Sequence, residues 1–321
     1  MANDHPILLC HGISRFDFLT HLLTRSWSEQ GAAEMPRWLD GMHYFRNIRN
    51  SLEAAGLGPV LHTNVPFAAS VQERSVALGA QVMKIVRETG CEKVHLIAHS
   101  MGGLDARHMI VEHEAGQRVA SLATIGTPHH GTPFADFGLK FGAEKWPGPL
   151  KKYAGVDFSG FVDLTSTACR SFSEDPRTRL AEATNCVRYT ACHSQQTFAA
   201  SLALFHFSWG VIHMAEEGGG PNDGLVPVSS QKWTGEIRAA VKRESGEVVA
   251  SSKTVRQLAL PFPADHLNQI GWWHPGDLMQ SKTLGSIGTH ARELKRWNPS
   301  REFERQIQGF YLDLAQAARA L

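Results

Sequence analysis

Val94-His95-Leu96-Ile97-Ala98-His99-Ser100-Met101-Gly102-Gly103 decides how the rest of the chain is read. An apolar run of buried-strand length ends on a serine, and a helix-like stretch opens from Gly103. A serine hydroxyl is a poor nucleophile until it is held clear of other side chains, beside a base and opposite oxyanion donors. A sharp strand-to-helix turn does this. Small residues must flank such a turn: Gly102 meets the demand, and Ala98 stands where a first glycine is usual. Alone, the pentapeptide Ala98 to Gly102 also fits a helix N-terminus with a serine cap.

Working outward, the apolar run Pro6-Ile7-Leu8-Leu9-Cys10 leads straight into His11-Gly12-Ile13, which reads as a buried strand followed by a loop able to offer a backbone N–H. With the amide after the nucleophile, such a loop builds an oxyanion hole; the donors are then Ile13 and Met101. Downstream, Pro221-Asn222-Asp223-Gly224-Leu225-Val226-Pro227 places a carboxylate in a turn, and Ala264-Asp265-His266-Leu267-Asn268 places a histidine after an apolar segment. The chain order is Ser, Asp, His, which is the order of α/β-hydrolases and not that of the chymotrypsin-like or subtilisin-like proteases.

These elements, with Ile125-Gly126-Thr127-Pro128-His129-His130-Gly131, resemble the bacterial triacylglycerol lipase family over nearly the whole chain. Gly309-Phe310-Tyr311-Leu312-Asp313-Leu314-Ala315 is similar to the last helix of the thermostable lipases of bacilli. Position by position, the resemblance implies Ser100 as nucleophile, His266 as base, Asp223 as its carboxylate partner, and Ile13 and Met101 as oxyanion donors. It implies a serine carboxylic-ester hydrolase, a lipase or esterase acting on acylglycerols or other hydrophobic esters, at a lipid–water interface for the true lipases. An acyltransferase with the same triad, or a hydrolase-fold binding protein with an unproductive one, remains open. Asp265 is poorly placed to orient the ring of His266, because adjacent side chains of an extended segment point to opposite faces. His129 and His130 read as rim residues, and His99 as a packed strand-end residue.

The same resemblance carries a structural calcium site with an acidic residue two positions after the histidine; here Asn268 stands there, and an amide adds no charge to a calcium site. Asp277, further along past Trp272-Trp273-His274-Pro275, is a carboxylate that could compensate, but the calcium site is expected to be absent. No cofactor and no metal ligand set is expected, since the seventeen histidines are scattered without metal-site spacings.

Alternating strand and helix patterns predict an α/β fold: a mostly parallel central sheet with helices on both faces. Strands are expected at Ile7 to Cys10, Val60 to Thr63, Val94 to Ala98, Leu122 to Ile125 and Val187 to Ala191. Helices are expected at Tyr44 to Ala55 and Val71 to Glu88, with Arg74, Lys84 and Arg87 of the second facing water. One domain over residues 1–321 is expected, carrying a lid or cap insertion at about 137–165. There Phe137, Phe141, Trp146 and Phe158 would supply an apolar inner face over the serine.

Thirty-two basic residues balance 31 acidic ones for a net charge of +1, which gives no electrostatic case for nucleic acid. Five cysteines fit no metal or redox spacing. The sequence has no transmembrane stretch, and Met1 lies too close to the first strand for a signal peptide. A cytoplasmic location is therefore expected, or a secreted one if a leader has been removed.

Overall fold

The structure is a computed structural model that describes residues 5–13, 40–41, 43–66, 69–141, 159–216, 219–242, 248–272 and 299–320. In chain order the main elements are β1 (Ile7–Cys10), α1 (Ile48–Ala54), β2 (Val60–His62), α2 (Val71–Thr89), β3 (Val94–His99), α3 (Met101–Glu112) and β4 (Val119–Ile125). They continue through α4 (Pro133–Lys140), α5 (Ser166–Glu174), α6 (Pro176–Thr184), β5 (Arg188–His193), α7 (His206–Ala215), β6 (Glu236–Lys242), β7 (Val248–Ala259) and α8 (Pro299–Arg319). The strands form one seven-stranded sheet in the order β2-β1-β3-β4-β5-β7-β6. All neighbours run parallel except β6, which pairs antiparallel with β7 at the edge.

Side-chain alternation divides the core into two layers. Leu8 and Cys10 of β1 join Leu96 and Ala98 of β3 against Leu78 and Val82 of α2 and Met109 of α3. Ile7 and Leu9 join Ile97 on the other face, against Ile48 and Leu52 of α1 and Phe310, Tyr311 and Leu314 of α8. Every residue of β1, β3 and β4 is buried, as strands covered on both faces require. The five strands expected from sequence are β1 to β5. Regular α-helix in the first expected helix begins only at Ile48.

Ser70 caps α2 by accepting from the Glu73 amide, and Gly90 ends it at φ 69°. Arg74 does not face water as its charge suggested. It is fully buried, because its donors are taken by Asp105 Oδ2 at 2.7 and 2.9 Å and by the carbonyls of Pro66, His11 and Gly12 at 2.7 to 3.2 Å. A guanidinium tolerates burial only when its N–H groups are matched in this way. Its effect is to tie the His11-Gly12 loop to α2 and α3. No described helix is long and apolar enough to cross a membrane.

Candidate active site

The site lies at the carboxyl edge of the sheet, where open α/β sheets gather their ligands. Ser100 sits between β3 and α3 with φ 56° and ψ −132°, a conformation that costs a non-glycine residue on the order of 1–3 kcal/mol. The surroundings hold it there. Its N–H donates to Ile125 O at 2.9 Å, and Thr127 Oγ1 donates to its carbonyl at 2.9 Å. A Cβ on Gly102 would stand 2.7 Å from the carbonyl oxygens of Cys10 and His11, and one on Gly103 would overlap Thr127. The two glycines let α3 start directly beneath the serine.

Ser100 Oγ and His266 Nε2 are 2.8 Å apart, and His266 Nδ1 lies 2.8 Å from Asp223 Oδ2. The backbone secures the same pairing, since His266 N–H donates to Asp223 O at 2.9 Å. Asp223 is wholly buried and accepts on both oxygens: Oδ1 from the amides of Leu225 and Val226, Oδ2 from His266 and from Gln269 Nε2 at 2.7 Å. Asp265 does other work. Its carboxylate accepts from the amides of Leu202, Leu267 and Asn268, so it braces the turn that carries His266.

Ile13 lines the same cavity as the serine, and Met101 follows the serine in the chain. A Cβ on Gly12 would lie 2.8 Å from Ser100 Cβ and 3.2 Å from its Oγ, so the loop carrying Ile13 approaches this closely only with glycine before it. Met101 opens α3, where the first amides have no intrahelical acceptor. An apolar cavity of about 150 Å³ opens over the serine. Tyr44, Phe134, Phe161 and Phe205 are among its lining residues. Phe161 falls within the segment expected as a lid, Phe134 just follows the Gly-Thr-Pro-His-His-Gly element, and Tyr44 and Phe205 carried no signal for this site in the sequence. Of the expected lid residues, Phe137 packs edge-on against Phe207, ring centroids 5.6 Å apart, and Phe141 is 62 % exposed. Trp146, Phe158 and most of the segment 137–165 lie outside the described residues.

The remaining histidines take packed roles. His99 bonds to Tyr44 Oη at 2.7 Å and Gln269 Oε1 at 2.9 Å; burial, then the nearby His266, holds its pKa well below the usual histidine value. His129 stacks on Trp233 and accepts from Arg107 at Nδ1, and burial keeps it neutral as well. His130 reaches Trp233 O at 2.7 Å. Asn268 spends both ends of its amide on backbone, Oδ1 on Asp265 N–H and Nδ2 on Trp272 O. Among the described residues no three His, Cys, Asp or Glu side chains gather as a metal site; Asp277 is outside them.

Residues 75–143 match the profile of a family described as PGAP1-like alpha/beta domain. Over 272 residues the chain is 28% identical to triacylglycerol lipase 2 of Saccharomyces cerevisiae, covering 74% of this chain and 77% of that protein. It is 32% identical over 138 residues to a triacylglycerol lipase of Pseudarthrobacter phenanthrenivorans, covering 42% of this chain and 37% of that one. Among solved structures, lipase 1 from Pelosinus fermentans superposes with a TM-score of 0.56 at 18% identity, over 100% of both chains.

Proposed function

From its membership of a lipase family in the α/β-hydrolase superfamily, we propose that this chain hydrolyses hydrophobic carboxylic esters, acylglycerols included, through an acyl-enzyme on Ser100. The observation that carries this reading is the continuous Ser100–His266–Asp223 hydrogen-bond chain, 2.8 Å at each step, opening into an apolar cavity.

In the proposed reaction His266 Nε2 takes the Ser100 proton as Oγ attacks the ester carbonyl. The carbonyl electron pair moves onto oxygen, where the amides of Ile13 and Met101 meet the negative charge. The carbon–oxygen bond to the alcohol then breaks, and His266 gives the proton to the departing alkoxide. Water repeats the sequence: His266 takes its proton, hydroxide adds to the acyl carbon, and Ser100 leaves with that proton. Asp223 keeps Nδ1 protonated and stabilises the imidazolium. Ester, water and three side chains account for every proton and electron pair, so the mechanism needs no cofactor.

A fluorophosphonate probe is expected to label Ser100, with hydrolysis of p-nitrophenyl esters measured in parallel. Labelling without turnover in water would favour acyl transfer to another alcohol, and no labelling would reduce the chain to a binding module. Asp223→Asn is expected to lower kcat on the order of a thousandfold or more while the protein stays folded. Asp265→Asn should act chiefly on stability; a crippled kcat there with an active Asp223→Asn enzyme would reverse the assignment.

The substrate side of the site supports an interfacial reading. Leu204, Phe207 and Met214, in and just before α7, expose 63 to 81 % of their surface, and Phe207 meets Phe134 and Phe137 beside the cavity. Replacing all three with serine is expected to cut hydrolysis of emulsified long-chain triacylglycerol by tenfold or more while sparing short soluble esters, because this apolar area would leave water at a lipid surface. Equal losses on both substrates would sink the interfacial part of the reading.

A further inference from the structure

The hydrogen bonds behind the Asp223 carboxylate form a chain with one consistent direction. Asp223 can only accept, so the group 2.7 Å from its Oδ2 must be the NH2 end of the Gln269 amide. The other end, Oε1, then faces His99 Nε2 at 2.9 Å, and that nitrogen must carry the proton. His99 Nδ1 is left as an acceptor, so the Tyr44 hydroxyl, 2.7 Å away, donates to it. Turning the amide over would set its oxygen against a carboxylate. Gln269 Nε2 also donates to Ser194 Oγ at 2.7 Å, and Ser194 passes its own proton to Ala264 O.

This chain is built rather than incidental. Gln269 and His99 are fully buried, and Gly126, at φ 57°, leaves room for the amide: a Cβ there would overlap Gln269 Oε1. The His99 ring lies 4.5 Å from that of His266, so both imidazoles lean on the same small region. The other groups nearby are otherwise engaged. Asp265 is bonded to backbone amides, and Tyr311 Oη donates to the Gln269 carbonyl at 2.9 Å.

We propose that Gln269, oriented by His99 and Tyr44, is a positioning residue for the triad: it donates to the same Asp223 oxygen that holds His266 and so fixes where that imidazole stands. The inference rests on the serine-hydrolase reading above. Without the amide, Oδ2 has one anchor fewer and the carboxylate can rotate about the two backbone bonds to Oδ1.

The test is kcat and KM against pH on a short soluble p-nitrophenyl ester for Gln269→Met and Gln269→Glu, with thermal melts of both. A hydrogen bond to a charged group is worth about 1.5–3 kcal/mol, roughly ten- to a hundredfold in rate. Gln269→Met is therefore expected to lose about tenfold or more in kcat with KM within about twofold of the parent. Gln269→Glu keeps the size and, while protonated, still donates to Asp223, so it rescues the rate at the acid end. As the second carboxyl ionises, two carboxylates share the site and the rate falls again. Its profile becomes a bell where the parent's rises to a plateau.

Gln269→Met at the parent's kcat, or a Gln269→Glu profile of the parent's shape, would overturn the proposal. So would failure of both variants to fold, since a positioning role predicts folded, slow enzymes. Ser100→Ala run alongside separates the two levels. If it stays active, the serine-hydrolase reading has failed; if it is dead while both Gln269 variants behave as the parent, only this inference has.

Discussion

Ser100→Ala is expected to remove ester hydrolysis on the order of a thousandfold or more and to leave the fold intact. The substitution deletes the attacking oxygen and the 2.8 Å bond to His266 Nε2, the one hydrogen bond of that hydroxyl among the described residues. Backbone anchors at Ser100 N and O, to Ile125 and Thr127, survive in alanine. The strained φ of 56° survives too, because alanine carries the same Cβ. The melting midpoint should therefore move by no more than a few degrees. Retention of more than about a tenth of the parent rate would remove Ser100 from the reaction, since triad nucleophiles cost far more than that when deleted.

The second large effect is acid lability. His95, His99, His108 and His129 are held neutral chiefly by burial, His95 with its pKa lowered to about 4 and His108 to about 3. In the unfolded chain each would take up a proton near 6.5. Below that pH the unfolded state binds more protons than the folded one, so stability falls as pH drops, down to the buried values. Each pH unit of that gap is worth about 1.4 kcal/mol per group, so His95 alone accounts for about 3 kcal/mol by pH 4.

Asp105 works the other way. Burial raises its pKa to about 6 despite Arg74, so it gains a proton in the folded state before the unfolded one and recovers stability between about 6 and 4. Asp40 and Asp163 are raised in the same sense. His99 and His129, both held well below the usual histidine value by burial, add to His95 and His108 on the destabilising side, so four histidines outweigh the carboxyls. The melting midpoint is expected to fall by about 10 °C or more between pH 7.5 and 4.5. His108→Phe should flatten the slope while keeping the ring stack on Phe172, 3.6 Å between centroids. A midpoint constant to pH 4.5 would contradict the account.

What the sequence disclosed follows from how each feature is encoded. The serine turn was legible because local backbone demand writes itself into Gly102 and Gly103. Asp223 and His266 were legible through chain order and turn chemistry. Gln269, His99 and Tyr44 act through side chains separated by 55 and 170 residues, and no local pattern marks such a meeting. Arg74 was misread because its charge outweighed its position: it falls on the buried stripe of Val71, Ser75, Leu78 and Val82. The β6–β7 pair escaped notice because most of β7 alternates between partial and full exposure, with Val255 its one buried residue, so the apolar signal that betrays β1 or β3 is absent.

The sheet edge that assembles the site also separates recognisability from competence. Residues 75–143, the stretch matched by the family profile, contain Ser100, Met101 and the glycines that shape their turn. They contain neither Asp223 nor His266, nor Ile13. Those arrive from chain passing beyond β5, β7 and β1. A protein sharing only this segment would inherit the architecture of the serine without the means to deprotonate it, and kinship detected there reports descent before it reports chemistry.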